Sequence, residues 1–163
     1  MLIRNARESD VPALLEIYNY EVLNGVATLD LNPRTLPEWE HWFREHGTDS
    51  HFILVAEIDG NAAGYASLSE YRQKEAYRST AELSVYIGRE YRRQGVASAL
   101  INAVLERARS LGTLHSIVSV ITAGNEASER LHEKFGFTPC GTLHEVGFKM
   151  GSYRDIDNFE LLI

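Results

Sequence analysis

The stretch Tyr91-Arg92-Arg93-Gln94-Gly95-Val96-Ala97-Ser98-Ala99-Leu100 joins a strand to a helix through a basic, glycine-bearing turn. Ahead of it, Thr80-Ala81-Glu82-Leu83-Ser84-Val85-Tyr86-Ile87 has the β-branched and aromatic content of a strand. Behind it, apolar residues recur at helical spacing. A strand, tight turn and helix in this order leave several backbone N–H groups unpaired at the helix start, facing whatever anion sits there. Gly95 lets the backbone approach closely, and Ala97 keeps the first turn uncrowded. The turn therefore has the properties of a pyrophosphate cradle. A Walker loop needs Lys followed by Ser or Thr after its last glycine, and a dinucleotide fingerprint needs three spaced glycines; neither pattern is present.

Working outward, Ala97, Leu100, Ile101, Val104, Leu105 and Ala108 give the helix after Gly95 one apolar face, and Gly112 supplies its stop. Ser116 to Ile121 has the pattern of a strand buried on both faces. Asn125 is placed to cap a helix from Glu126 to Phe135, which Gly136 ends. Residues Thr138 to Val146 and Asp155 to Ile163 form two closing strands. Toward the amino terminus, Leu2 to Arg7 alternates as a half-buried strand, and Asp10 is a helix cap ahead of Pro12. The following helix carries a stripe of Val11, Leu14, Leu15, Tyr18 and Val22. Thr35-Leu36-Pro37-Glu38 is a capping box that opens a second helix, with Trp39, Trp42 and Phe43 assigned to the core. Phe52 to Glu57 and Ala62 to Ser69 pair as a hairpin across Asp59-Gly60-Asn61. This element order predicts a mixed α/β, or α+β, sandwich built on one central sheet, a single domain over residues 1–163.

With 44% hydrophobic and 24% charged residues, the composition is that of an ordinary soluble domain. The formal net charge of -7 argues against nucleic acid or an anionic membrane as partner, since both reward an excess of Lys and Arg. A polyanionic ligand must then find a local patch, for which Arg92, Arg93 and Lys134 are candidates. No apolar run is long enough to span a bilayer, and Met1-Leu2-Ile3-Arg4 lacks signal-peptide features, so the expected location is cytoplasmic. Cys140 is the only cysteine and is assigned to packing; the six His residues lack metal-binding spacing, and no metal is expected.

Two motifs carry a resemblance. Arg92-x-x-Gly95-x-Ala97 resembles the acetyl-CoA loop of the GCN5-related N-acetyltransferases, and Asn125, Leu131, Lys134, Gly136 and Phe137 resemble their second signature. More narrowly, Ile17-Tyr18-Asn19, the run Glu75 to Tyr86, and Gly147-Phe148-Lys149-x-Gly151 with Asp155 are similar to the phosphinothricin and methionine sulfoximine N-acetyltransferases. The resemblance implies a central mixed, mostly antiparallel sheet flanked by helices, a homodimer, and acetyl-CoA as co-substrate. It implies that backbone groups of Tyr86, Ile87 and Gly88 pair with the pantetheine arm. Gln94, Gly95, Val96, Ala97, Ser98 and Ala99 would wrap the pyrophosphate, and Asn125 and Lys134 would reach the far side of the cofactor.

Acyl transfer to an amine requires removal of the ammonium proton and a proton for the leaving thiolate. Glu82 is the candidate base, directly or through water, provided that burial lifts its carboxyl above the usual pKa of about 4.3. The resemblance places His132 in the slot where many members of the superfamily carry a Tyr as proton donor to the thiolate and the amino-acid acetylating branch carries His. Arg72 and Lys74, with Tyr77, are the candidates for holding the substrate's acid group near Glu82. The expected reaction is acetylation of a small amino-acid-like amine. A protein or peptide amino-terminal acetyltransferase and a non-catalytic acyl-CoA sensor are the alternatives.

Overall fold

The computed structural model describes residues 1–47 and 50–163. Its strands are β1 (Leu2–Asn5), β2 (Phe52–Ile58), β3 (Asn61–Glu70), β4 (Thr80–Ile87), β5 (Ser116–Thr122), β6 (Thr138–Lys149) and β7 (Ser152–Leu162). Its helices are α1 (Val11–Asn24), α2 (Leu36–Arg44), α3 (Val96–Leu111) and α4 (Glu126–Lys134). The strands make one seven-stranded sheet in the order β1-β2-β3-β4-β5-β7-β6. Every neighbouring pair is antiparallel except β4 with β5. The mixed, mostly antiparallel sheet expected from the sequence is the one found.

Period-two alternation distributes the side chains of β2 to β4 between two cores. On one face Phe52, Leu54, Ala66, Leu68, Ala81 and Leu83 meet the buried stripe of α3, from Val96 through Leu100, Ile101, Val104 and Leu105 to Ala108. Burying aliphatic side chains of this size contributes roughly 1.5–3 kcal/mol each. On the other face Ile53, Val55 and Tyr65 meet Val11, Leu14 and Trp39 from α1 and α2. The capping box at Thr35 forms, with Glu38 accepting from the Thr35 backbone N–H at 2.7 Å.

Three expectations change. Asp10 does not cap α1 with its side chain. Its carboxylate instead accepts both ends of the Arg4 fork, at 2.7 and 2.9 Å, and the backbone N–H of Arg7 at 2.7 Å, closing a 3-10 turn that leads into the helix. Second, β5 is buried throughout on one face only: Ile117, Ser119 and Ile121 are enclosed, whereas on the other face Val120 is 38% exposed and only Thr122 is buried. Third, the closing strands are longer than expected and meet at a tight turn where Met150 and Gly151 both take positive φ (52° and 76°).

The Arg4 hydrogen bonds hold the Asp10 carboxyl below the usual carboxylate range. Its contribution is therefore complete above the unfolded pKa of about 3.9 and is lost as the pH falls through the lower folded value. Asp10→Ala leaves Arg4 with Glu57 as its ion-pair partner and with its bond to the Asn5 carbonyl. It is expected to cost roughly 2–3 kcal/mol in urea unfolding at neutral pH. The gap to the wild type should narrow in acid.

Candidate active site

The parallel pair β4 and β5 is joined only at Thr80–Ser116, Ala81–Ile117 and Glu82–Val118. Beyond Glu82 the strands part, since β5 continues in register with β7 while β4 stays with β3. The opening is a cleft of about 520 Å³, with Leu83 to Ile87 along one wall and Ser119 to Thr122 along the other. Backbone groups on the open edge of β4 are available to an amide-bearing ligand laid in as an extra strand.

At one end of this cleft stands the start of α3. Arg93 (φ 61°) and Gly95 (φ 80°) both adopt the left-handed conformation, turning the chain so that successive N–H groups converge. The first intrahelical bond runs from the Ala99 N–H to the Gly95 carbonyl at 3.0 Å. The N–H groups of Val96, Ala97 and Ser98 thus precede the helical ladder, and all three residues line the cleft. These donors, together with the positive end of the α3 dipole, fit a diphosphate. Arg92 also lines the cleft, where it forms an ion pair with Glu21 and lies 5.8 Å from the Tyr20 ring centroid.

The second cavity lies on the opposite face of β4 and holds about 410 Å³. Its floor consists of three cross-strand pairs, Tyr65–Tyr86, Ser67–Ser84 and Ser69–Glu82. Its walls are Tyr18, Trp39 and Trp42, and its cation is Arg34. Ser84 and Tyr86 line both spaces, so the cleft and the cavity meet across β4 at the point where the sheet opens. Two donors beside the cavity, Trp39 Nε1 and Tyr65 Oη, are buried with no hydrogen-bond partner among the described residues. Each such donor costs about 1–3 kcal/mol until an acceptor reaches it.

Burial alone raises the pKa of Glu82 above the ordinary carboxyl value. This is the direction a general base acting near neutral pH requires. Arg34 is bound to Asp30 through two hydrogen bonds, at 2.8 and 3.0 Å, and lies 4.0 Å from Glu38. Tyr18 donates to Asp30 at 2.7 Å, and burial pushes its hydroxyl up to about 12. Burial works against the Asp30 charge, yet the bonds from Arg34 and Tyr18 more than offset it and keep this carboxyl low.

The segment 25–35 that carries Asp30 and Arg34 is tied down at several points. Asn19 brackets the Arg34 backbone, donating to its carbonyl at 2.9 Å and accepting its N–H at 2.8 Å. Lys149, only 4% exposed, donates to the carbonyls of Thr28 at 2.8 Å and Glu21 at 3.4 Å. Burial lowers its ammonium pKa. A Cβ at Gly147 would meet Leu29 Cδ1 at 2.7 Å, so β6 packs directly on the Leu29 side chain of this segment. The β6–β7 hairpin therefore helps set the roof of the cavity.

His132 is buried at the inner wall of the cleft. Its Nδ1 donates to the Ser128 carbonyl at 2.8 Å, which leaves Nε2 to accept from the Ser119 hydroxyl at 2.9 Å. Burial lowers its pKa, so the ring is uncharged at neutral pH. Ser119, whose hydroxyl oxygen also lies 3.3 Å from the Leu83 carbonyl, lines the cleft beside His132.

Of the residues proposed from sequence, Tyr86, Ile87, Arg92, Arg93, Gly95, Val96, Ala97, Ser98, Asn125 and His132 line the cleft, and Glu82 lines the cavity. Asn125 also caps α4, accepting from the Ser128 N–H at 3.3 Å. Others stand elsewhere. Gly88 donates its N–H to Ala63 and accepts from Tyr91, each at 2.9 Å, so its N–H is not open to a ligand. Gln94 turns its amide to the Glu90 carbonyl at 2.7 Å, and the Ala99 N–H is already in the helix. Lys134 is exposed, with Nζ 5.9 Å from the Phe135 ring centroid. Arg72 packs over Tyr71 and Tyr77, at 4.9 and 5.8 Å, and none of Arg72, Lys74 and Tyr77 lines the cavity. Sequence reading gave no site role to Tyr18 and Lys149, though both stand in the motifs quoted above, and missed Asp30, Arg34, Ser67 and Ser69. The alternation Tyr65-x-Ser67-x-Ser69 opposite Glu82-x-Ser84-x-Tyr86 was the available signal, because polar side chains on one face of an otherwise apolar strand mark a face that meets something polar.

Comparison with known proteins agrees with this geometry. The sequence model of the acetyltransferase (GNAT) family matches residues 15–137. The L-methionine sulfoximine/L-methionine sulfone acetyltransferase of Pseudomonas aeruginosa is 38% identical over 160 residues, covering 98% of this chain and 92% of the relative. A crystal structure of ribosomal-protein-alanine N-acetyltransferase from Brucella melitensis superposes with a TM-score of 0.96 at 38% identity, over 100% of both chains. A phosphinothricin acetyltransferase from Sinorhizobium meliloti in complex with acetyl-CoA superposes with a TM-score of 0.95 at 31% identity, covering 99% of this chain and 88% of that one.

Proposed function

Since the chain belongs to the acetyltransferase (GNAT) family and is an acetyl-CoA-dependent N-acetyltransferase, we propose that its acceptor is the primary amine of a small amino-acid-like molecule of the methionine sulfoximine or phosphinothricin type. The observation that carries this reading is the position of Glu82: a carboxylate with a raised pKa, in a cavity of about 410 Å³ that touches the acyl-CoA cleft across Ser84 and Tyr86.

Acetyl-CoA supplies the activated acyl group. The chain supplies the rest. The N–H groups of Val96, Ala97 and Ser98 hold the diphosphate, and the open edge of β4 from Leu83 to Ile87 aligns the pantetheine arm. We assign polarisation of the acyl oxygen to a backbone N–H of that edge. Glu82 receives the ammonium proton, and the second proton that the nitrogen sheds as the amide forms neutralises the leaving thiolate; we assign Ser119, held by His132 in the cleft lining, to that proton's path. We assign the substrate's acid group to Arg34, the cation in the lining, with Trp39 Nε1 and Tyr65 Oη as further donors. Arg72 and Lys74 give way to Arg34 because their loop leaves them outside the cavity.

We further place the enzyme in the cytoplasm as a homodimer. The β6–β7 hairpin supports the dimer, since Leu143, Val146, Phe148, Met150 and Tyr153 are all at least half exposed along it.

A thiol-release assay tests the substrate class. L-methionine sulfoximine and phosphinothricin are expected to stimulate release, and Arg34→Gln to raise their KM by roughly 10-fold or more through loss of a bond to a charged group. A peptide beginning with alanine is expected to be a poor acceptor. If the peptide is the better acceptor and Arg34→Gln leaves it unaffected, the amino-terminal acetyltransferase reading replaces this one. If nothing stimulates release, the chain acts as an acyl-CoA sensor.

A further inference from the structure

His46 lies just beyond α2, away from the acyl-CoA cleft, and the function above makes no use of it. Its Nδ1 is 2.6 Å from the carbonyl oxygen of Trp42, and its Nε2 is 2.7 Å from Ser69 Oγ. A carbonyl only accepts, so the ring proton is on Nδ1. Burial lowers the pKa of His46, so at neutral pH the ring carries that proton alone and Nε2 presents a lone pair. Ser69 must therefore donate its only hydroxyl hydrogen to His46. Its remaining lone pairs are left to accept.

Ser69 lines the acceptor cavity, and it is the residue directly opposite Glu82 in the β3–β4 ladder. Directly opposed side chains on one face of an antiparallel pair have Cβ atoms about 4.5–5.5 Å apart. A hydroxyl oriented as an acceptor and a carboxylate thus stand side by side where an ammonium would enter. A serine free to rotate would instead turn its hydrogen toward Glu82 and compete with the incoming amine for the same carboxylate. His46 removes that competitor.

We infer that Ser69 binds the substrate ammonium alongside Glu82, and that His46 is a positioning residue that fixes Ser69 as an acceptor. Ser69 and Glu82 then take two of the three ammonium hydrogens while the amine is charged, and after Glu82 has removed a proton Ser69 holds the neutral nitrogen with its lone pair free for attack. The inference rests on the amine-acetylation reading and identifies how that site recognises its amine.

Two measurements test it. Nitrogen chemical shifts of 15N-histidine-labelled protein report the tautomer of His46 whatever the substrate proves to be. A protonated Nδ1 and unprotonated Nε2 are expected, and protonation of Nε2 in the neutral ring would overturn the inference. In the thiol-release assay Ser69→Ala should raise the KM for the amine by roughly 10-fold, as for a lost bond to a charged group, with the KM for acetyl-CoA unchanged. Ser69→Thr, which keeps the hydroxyl, should restore it. His46→Phe should raise the same KM although it cannot touch the substrate, and the Ser69→Ala/His46→Phe double variant should be no worse than either alone. An unchanged amine KM in Ser69→Ala, or effects that multiply in the double variant, would contradict the assignment. A wild-type chain inactive toward every amine would instead refute the functional reading, with the His46 tautomer still open to test.

Discussion

Glu82→Gln is expected to lower kcat by about 10²–10⁴-fold, the usual contribution of a positioned general base, and to leave acetyl-CoA binding almost unchanged. Glutamine fills the same volume and cannot take a proton at neutral pH. Glu82 lines the acceptor cavity and is not part of the cleft lining, so the two properties separate. The pH dependence follows from the direction of the shift. Burial raises the Glu82 pKa, and the ionised form is the active base, so kcat/KM falls as the pH drops through that raised value. The residual activity of the Gln variant should lack this acid limb. Thiol release as a function of pH, paired with calorimetric titration of CoA, reads both quantities. Full activity in the variant would remove Glu82 from the chemistry, and a matched loss of CoA affinity would make its role structural.

Ala97→Glu is expected to raise the KM for acetyl-CoA by at least about 100-fold. The new carboxylate stands among the N–H groups that precede the ladder of α3. Like charges about 4 Å apart near a protein surface repel by roughly 4 kcal/mol, and each 1.4 kcal/mol is about tenfold in affinity. The same carboxylate favours the helix, since an acidic side chain in a first turn contributes about 0.3–1 kcal/mol. Thermal stability should hold or rise while cofactor affinity collapses, a combination that misfolding cannot produce. Unchanged acetyl-CoA kinetics would place the diphosphate elsewhere.

The contrast between the two sites shows what a sequence makes legible. The part of the cofactor site assigned to the diphosphate is built from one contiguous stretch, Arg92 to Ser98, in which local conformation does the work: positive φ at Arg93 and Gly95, then a helix start. Such features depend on near neighbours and can be read along the chain. The acceptor cavity is built from distant segments. Lys149 reaches Thr28 across 121 positions, and Tyr18, Arg34, Ser69 and Glu82 come together only when α1, the 25–35 segment and the sheet are assembled. Arg72 and Lys74 were natural candidates because they stand close to Glu82 in sequence, but their loop leaves the end of β3 and packs on Tyr71 and Tyr77. Asp10 shows the same limit on a smaller scale. A capping residue type sits in a capping position, yet Arg4, from a neighbouring strand, takes its carboxylate.

A crystal structure of the chain with CoA and L-methionine sulfoximine tests the central claim most directly. The diphosphate should lie on the N–H groups of Val96, Ala97 and Ser98, the pantetheine arm along the β4 edge, and the amine within hydrogen-bonding distance of Glu82. A diphosphate bound away from the start of α3, or an amine out of reach of Glu82, would contradict it.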